Sequence, residues 1–119
     1  MKKKYDLGII GGKIFYKDRV VKNNIAVKKG KIFLIGDVKA TECKEILNAN
    51  NLITLPGIID TQVHFREPGL THKEDIFHGT KSALLGGITS IFEMPNTKPP
   101  TINKKPLKSK KNIAKKRSW

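Results

Sequence analysis

With 119 residues, the chain has room for one small domain. Lys and Arg number 24 against 10 Asp and Glu, a formal net charge of +14, which points either to an anionic partner or to a lysine-rich composition. A single cysteine, Cys43, excludes an internal disulfide framework, and no run approaches the ~20 apolar residues of a membrane span.

The second reading of the charge fits better. Arg19, Arg66 and Arg117 are the only arginines, the lysines are scattered between apolar runs, and no aromatic-plus-arginine cluster offers bases a stacking surface. Nucleic acid is therefore not the expected partner. The basic start, MKKK, is followed by Asp6, a Gly pair and Lys13 instead of an apolar leader core. A cytoplasmic protein without membrane contact is the simplest expectation.

From residue 5 to residue 55 the pattern is short strands and tight turns. Apolar runs at 7–10, 13–16, 20–21, 25–27 and 32–35 are separated by Gly11-Gly12, Lys17-Asp18, Asn23-Asn24 and Lys29-Gly30. Such spacing predicts an antiparallel meander or a small sandwich. Residues 45–47 and 52–55 add further strand candidates.

The stretch 53–69, ITLPGIIDTQVHFREPG, organises the rest. Leu55, Ile58 and Ile59 lead into Asp60, Gln62, His64, Arg66 and Glu67. An apolar run ending in such side chains predicts a buried strand that delivers them to its C-terminal mouth. Alternation places Gln62, His64 and Arg66 on one face and Val63 and Phe65 on the other. Taken alone, a histidine beside a strand is more often a satisfied core or surface residue than a ligand. Pro68-Gly69 marks the closing turn.

Residues 71–85 read as a helix. Thr71 and Glu74 have capping-box spacing, and Glu74 and Asp75 suit a positive helix N-terminus. Phe77, Thr80 and Leu84, flanked by Ile76 and Ala83, form a narrow inward stripe. Gly79 within it costs about 1 kcal/mol against Ala, so close packing is the expected reason for it. Gly86-Gly87 stops the helix, residues 88–94 form the next strand, and Pro95-Asn96-Thr97 is its exit. Strand, helix and strand in this length predict a βαβ unit with parallel strands. In the lysine-rich remainder Pro106 delays any second helix, and the alternative is a solvated tail.

Pro56-Gly57, Asp60, His64, Arg66 and Glu67-Pro68-Gly69, followed by the segments at 71–89 and 93–100, closely resemble the dihydroorotase and allantoinase branch of the amidohydrolase superfamily. The resemblance covers about residues 6–101. It departs from the family at Gln62, which stands where the first metal-binding histidine of the family's first barrel strand would be.

The resemblance implies an α/β fold in three parts. Residues 1–55 would be the N-terminal half of a small β-sandwich, residues 56–100 the first βαβ unit of an incomplete metal-dependent-hydrolase TIM barrel, and residues 101–119 a basic truncated tail. A complete (β/α)₈ barrel takes roughly 250 residues, so a fragment, inactive alone, is expected.

It also implies a site. Metal ligands would be His64 and, doubtfully, Gln62, whose neutral amide oxygen suits zinc poorly. Gln62 could reflect one ion in place of two, a weak ligand, a metal-poor homologue, or a residue that merely hydrogen-bonds its neighbours. Arg66 and Asn96 would hold the substrate carboxylate, although an arginine in a structural ion pair is the commoner case. No catalytic residue is assigned within this chain. Asp60 and Glu67 are expected to support the metal face as hydrogen-bond acceptors, while His72 and His78 are expected to be solvated.

The implied reaction is interconversion of dihydroorotate and N-carbamoyl-aspartate in pyrimidine biosynthesis, with one or two zinc ions. The alternatives are an allantoinase-type hydrolase and a non-catalytic homologue scaffolding aspartate transcarbamoylase. A homo-oligomer or that transcarbamoylase would be the protein partner.

Overall fold

The computed structural model describes residues 3–119, so Met1 and Lys2 of the basic start lie outside the described residues. The chain divides into two compact units, Met1–Pro56 and Gly57–Trp119.

The first unit consists of strands β1 (Tyr5–Ile10), β2 (Lys13–Tyr16), β3 (Arg19–Lys22), β4 (Asn24–Lys28), β5 (Lys31–Gly36), β6 (Cys43–Asn48) and β7 (Ile53–Thr54). Lys17-Asp18 and Lys29-Gly30 have positive φ at both positions (50° and 59°, 52° and 70°). Two-residue loops of that kind match the right-handed twist of the strands they join. They close the β2–β3 and β4–β5 hairpins.

The strands form two sheets, ordered β5-β4-β1-β6 and β3-β2-β7. A purely antiparallel meander is not what forms, because β1 pairs with β6, and β2 with β7, in parallel. The chain path gives the reason. Residues 11–12 carry the chain from one sheet to the other after β1, and residues 49–52 do the same after β6, so two consecutive strand pairs run side by side. Tyr5, Ala26, Val38 and Cys43 form the fully buried centre, with Ile10 packed against it. Asn24 locks the crossing, accepting from the Gly11 N–H and donating to the Val38 carbonyl, both at 2.9 Å.

The second unit comprises β8 (Ile58–Val63), α1 (Ile76–Leu85), β9 (Ile88–Glu93) and α2 (Lys104–Arg117). As the βαβ reading requires, β8 and β9 pair in parallel. The expected buried character of the first strand does not hold in this chain: Ile58 and Ile59 are 56% and 58% exposed. A parallel strand of such composition is normally covered on both faces, and here two strands and two helices supply only part of that cover.

Helix α1 starts later than its sequence suggests. Its N-cap is Asp75, which accepts from the His78 N–H at 2.8 Å, and residues 71–73 form a turn. The Thr71–Glu74 spacing is therefore not a capping box. Ile76 and Gly79 are the buried positions of α1, while Phe77 and Leu84 are 37% and 49% exposed. A Cβ on Gly79 would lie 2.5 Å from the Phe65 ring, which accounts for a glycine inside the helix.

Nor does Pro106 delay α2. Asn103 caps that helix, accepting from the Lys105 N–H at 3.1 Å, and Pro106 falls in the first turn, where no intrahelical N–H bond is lost. The lysine-rich end is thus helical. Lys110 is buried, and its ammonium pairs with Glu93 and donates to the Met94 carbonyl at 3.1 Å.

Candidate functional site

The site candidates lie where β8 and β9 end. Pairing continues one step past the strands through the Met94 N–H and the Val63 carbonyl at 2.8 Å. His64 and Asn96 follow directly, and the structure brings them together: His64 Nδ1 lies 3.0 Å from Asn96 Oδ1, within hydrogen-bond distance. Both side chains are exposed.

The loops that carry these groups are held from below. The Lys98 N–H donates to the Pro68 carbonyl at 3.1 Å. Gly69 has φ of +86°, and a Cβ there would lie 2.1 Å from the Lys98 carbonyl oxygen, so both conformation and space require glycine. Thr97 is buried, its hydroxyl donating to the Pro99 carbonyl at 3.0 Å, and the Thr101 N–H donates to the Pro95 carbonyl at 2.8 Å.

Arg66 is half-buried, and among the described residues its guanidinium makes no ion pair. That separates it from Arg117, which pairs with both Glu67 and Asp75, the Asp75 contact being 3.0 Å. Glu67 is 6% exposed and accepts from the Ile76 N–H at 3.0 Å. It therefore satisfies the first N–H of α1 and pairs with Arg117. Asp60 turns back on its own strand, accepting from the Gln62 N–H at 3.0 Å.

The Gln62 side chain is exposed. His72 and His78 are exposed, as expected, and His78 Nδ1 lies 2.8 Å from Asp75. The His78 backbone N–H is the main reason that the Asp75 carboxyl sits below its ordinary value of 3.8, with the His78 ring and Arg117 adding to it against desolvation.

One imidazole nitrogen and one amide oxygen are the donors on the expected metal face. The His64 imidazole is a ligand type that suits zinc, whereas Gln62 is a poor ligand for it. No group of three or more His, Cys, Asp and Glu side chains with metal-binding geometry occurs among the described residues. These residues fit one wall of a metal site, and its other ligands would have to come from elsewhere.

A cleft of about 760 Å³ lies between α1, α2 and β9, lined by Phe65, Ile76, Leu84, Ile91, Leu107 and Trp119 among others. It contains none of His64, Arg66 or Asn96, so cavity size does not mark the site. Two ties were missed from sequence, Lys110–Glu93 and Arg117 with its two acids. The available signal was the spacing of Pro106, Lys110, Ile113, Ala114 and Arg117, which forms one helical face.

The model of the Amidohydrolase family matches residues 53–116. A dihydroorotase of Pyrococcus abyssi is 43% identical over 113 residues, covering 93% of this chain and 28% of the relative. A dihydroorotase of Lactococcus lactis subsp. lactis is 50% identical over 76 residues, 64% of this chain and 18% of the relative. Among solved structures, an L-hydantoinase (dihydropyrimidinase) from Arthrobacter aurescens superposes with a TM-score of 0.83 at 30% identity, covering 92% of this chain and 25% of that one. The chain spans about a quarter of the length of the curated relatives it matches.

Proposed function

We propose, from the premise that the chain belongs to the amidohydrolase family, that it is the opening section of a dihydroorotase-like cyclic amidohydrolase. Residues 1–55 would be half of a β-sandwich, residues 56–100 the first βαβ unit of the barrel, and residues 101–119 its basic end. The protein would act in the cytoplasm on dihydroorotate and N-carbamoyl-aspartate.

The observation that carries the substrate class is Arg66. Its guanidinium is charged and has no acid partner among the described residues, while Arg117 is neutralised by two. A planar cation left unpaired at a strand mouth suits a carboxylate held by two parallel hydrogen bonds. Asn96 sits on the neighbouring loop with its amide N–H groups still available. Both substrates named carry a carboxylate.

Zinc, in one or two ions, would be held here by His64 and weakly by Gln62. When bound, such an ion polarises the scissile carbonyl and activates water. This chain's own residues would bind and orient the substrate. General base and remaining ligands would come from later strands.

Allantoinase chemistry is the near alternative. A second reading, a non-catalytic homologue that scaffolds aspartate transcarbamoylase, is favoured by Gln62 alone. The test is a protein carrying this section extended through the remaining strands, assayed with zinc on dihydroorotate and on allantoin. Hydrolysis of dihydroorotate is expected, preference for allantoin would move the substrate, and turnover of neither would favour the scaffold.

A further inference from the structure

We propose that the open end of the β2–β3 hairpin is a binding site for a phosphoryl group, as inorganic phosphate or as a phosphate monoester. The site lies wholly in the first unit and is independent of the roles given above to His64, Arg66 and Asn96.

The first observation behind it is a conflict of charge. Lys13 and Lys22 are directly opposed across β2 and β3, so their side chains leave the sheet on the same face. Like charges placed in this way repel, and among the described residues neither ammonium has an acid partner. Asp18, the acid of this hairpin, sits in the turn at its other end. A second opposed lysine pair, Lys28 and Lys31 across β4 and β5, is compensated. There Lys28 Nζ lies 5.4 Å from the centre of the Phe33 ring, and Asp6 accepts from the adjoining Lys29 N–H at 2.7 Å.

The second observation is a hollow at the uncompensated pair. A cavity of about 580 Å³ is lined by Lys13 and Lys22 together with Gly11, Asn50, Asn51 and Ile53. Its backbone is held in place: the Lys13 N–H donates to the Leu52 carbonyl and the Leu52 N–H to the Ala49 carbonyl, both at 2.9 Å. Gly11 has φ of +87°, and a Cβ there would lie 2.1 Å from the Asn50 side chain, so residues 49–52 come directly against the glycine pair. Two ammonium groups and two carboxamides around one hollow offer charged and neutral donors to a tetrahedral dianion. A carboxylate, with a single charge, would leave one lysine unmatched. Leu52 and Ile53, 58% and 55% exposed, provide an apolar rim for the organic part of an ester.

The test is an amide NMR titration of the full 119-residue chain at about pH 8, where lysine is charged and phosphate is a dianion. Inorganic phosphate should produce saturable shifts at residues 11–13, 22 and 50–53, and sodium chloride at matched ionic strength should not. Lys13→Gln and Lys22→Gln, both at exposed positions, should each weaken binding about tenfold through loss of one charge-assisted contact. Lys31→Gln should leave it unchanged. Lys22→Glu turns the repelling pair into an attracting one, so it should abolish the shifts while slowing hydrogen exchange in β2 and β3. Phenyl phosphate separates the two sources: tighter binding than phosphate makes the ligand a monoester, and equal or weaker binding makes it the free ion. Absence of saturable shifts, the same shifts with chloride, or equal weakening by Lys31→Gln would overturn the proposal.

Discussion

The two units solve the problem of holding a chain together in different ways. Among the described residues, the first buries Tyr5, Ile14, Ile25, Ala26, Val38, Cys43 and Ala49, with no buried charged side chain. The second buries only Phe65 and Ile76 as large apolar groups, beside three polar or charged residues, Glu67, Thr97 and Lys110. One is an apolar core closed by hairpins. The other is a set of polar ties between helix ends and loops. Burying apolar area is favourable in any arrangement that removes it from water, whereas a buried charge is tolerable only with its partner in place. Accordingly, the second unit places its loops accurately and depends on individual residues to do so. Those loops carry Arg66 and Asn96.

That contrast predicts where single changes will be felt, read by residue-resolved hydrogen exchange on the full chain because the two units need not unfold together. The largest effect is expected from Tyr5→Ala, which empties the first core and should cost about 4 kcal/mol, lowering protection in β1 and β4 while leaving α1 and α2 as they were. Lys110→Ala strands the Glu93 carboxylate, one oxygen of which is already buried without a partner, and should cost about 3 kcal/mol in β9 and α2. The double variant Lys110→Met with Glu93→Leu should recover most of that, since removing both charges removes the burial penalty. Equal loss in the double variant would show that packing of the lysine stem, and not charge pairing, is what matters there. Gly79→Val should cost about 2 kcal/mol by pushing against Phe65, again in the second unit alone.

The smallest effect is a pH dependence. Asp75 titrates below 3.8, chiefly because the His78 N–H stabilises its charged form. A depressed carboxyl contributes stability in full above its unfolded value, and that contribution disappears as pH falls through the folded value. Circular dichroism should therefore show helix loss setting in below about pH 4, a range set by ordinary carboxyl titration. Asp75→Asn should flatten that response, and an unaltered acid profile would remove Asp75 as its source.

Much of this arrangement was legible in the sequence, for identifiable reasons. The strands of the first unit follow from apolar runs bounded by turn residues, and Lys17-Asp18 and Lys29-Gly30 fall where hairpins close. The parallel β1–β6 and β2–β7 pairs were not legible, because they depend on how the chain crosses between sheets and not on any local pattern. The start of α1 differs from the expectation because Thr71 and Glu74 have the right spacing, while the actual cap is Asp75, which Arg117 holds from 42 residues away and beside which Glu67 takes the Ile76 N–H. At the site, His64, Arg66 and Asn96 were visible as residue types in a pattern. Their division of labour was not, since a sequence cannot indicate that Asn96 Oδ1 faces an imidazole or that Glu67 faces a helix end.

The most direct test of the account is the kinetics of Arg66→Ala in the extended protein, with dihydroorotate as substrate. If Arg66 is the unpaired cation that receives the substrate carboxylate, its removal leaves that carboxylate without a partner, and kcat/KM should fall by the equivalent of roughly 2–5 kcal/mol. The corresponding Arg117→Ala change should alter stability far more than substrate recognition. Unchanged kcat/KM in Arg66→Ala would contradict the account.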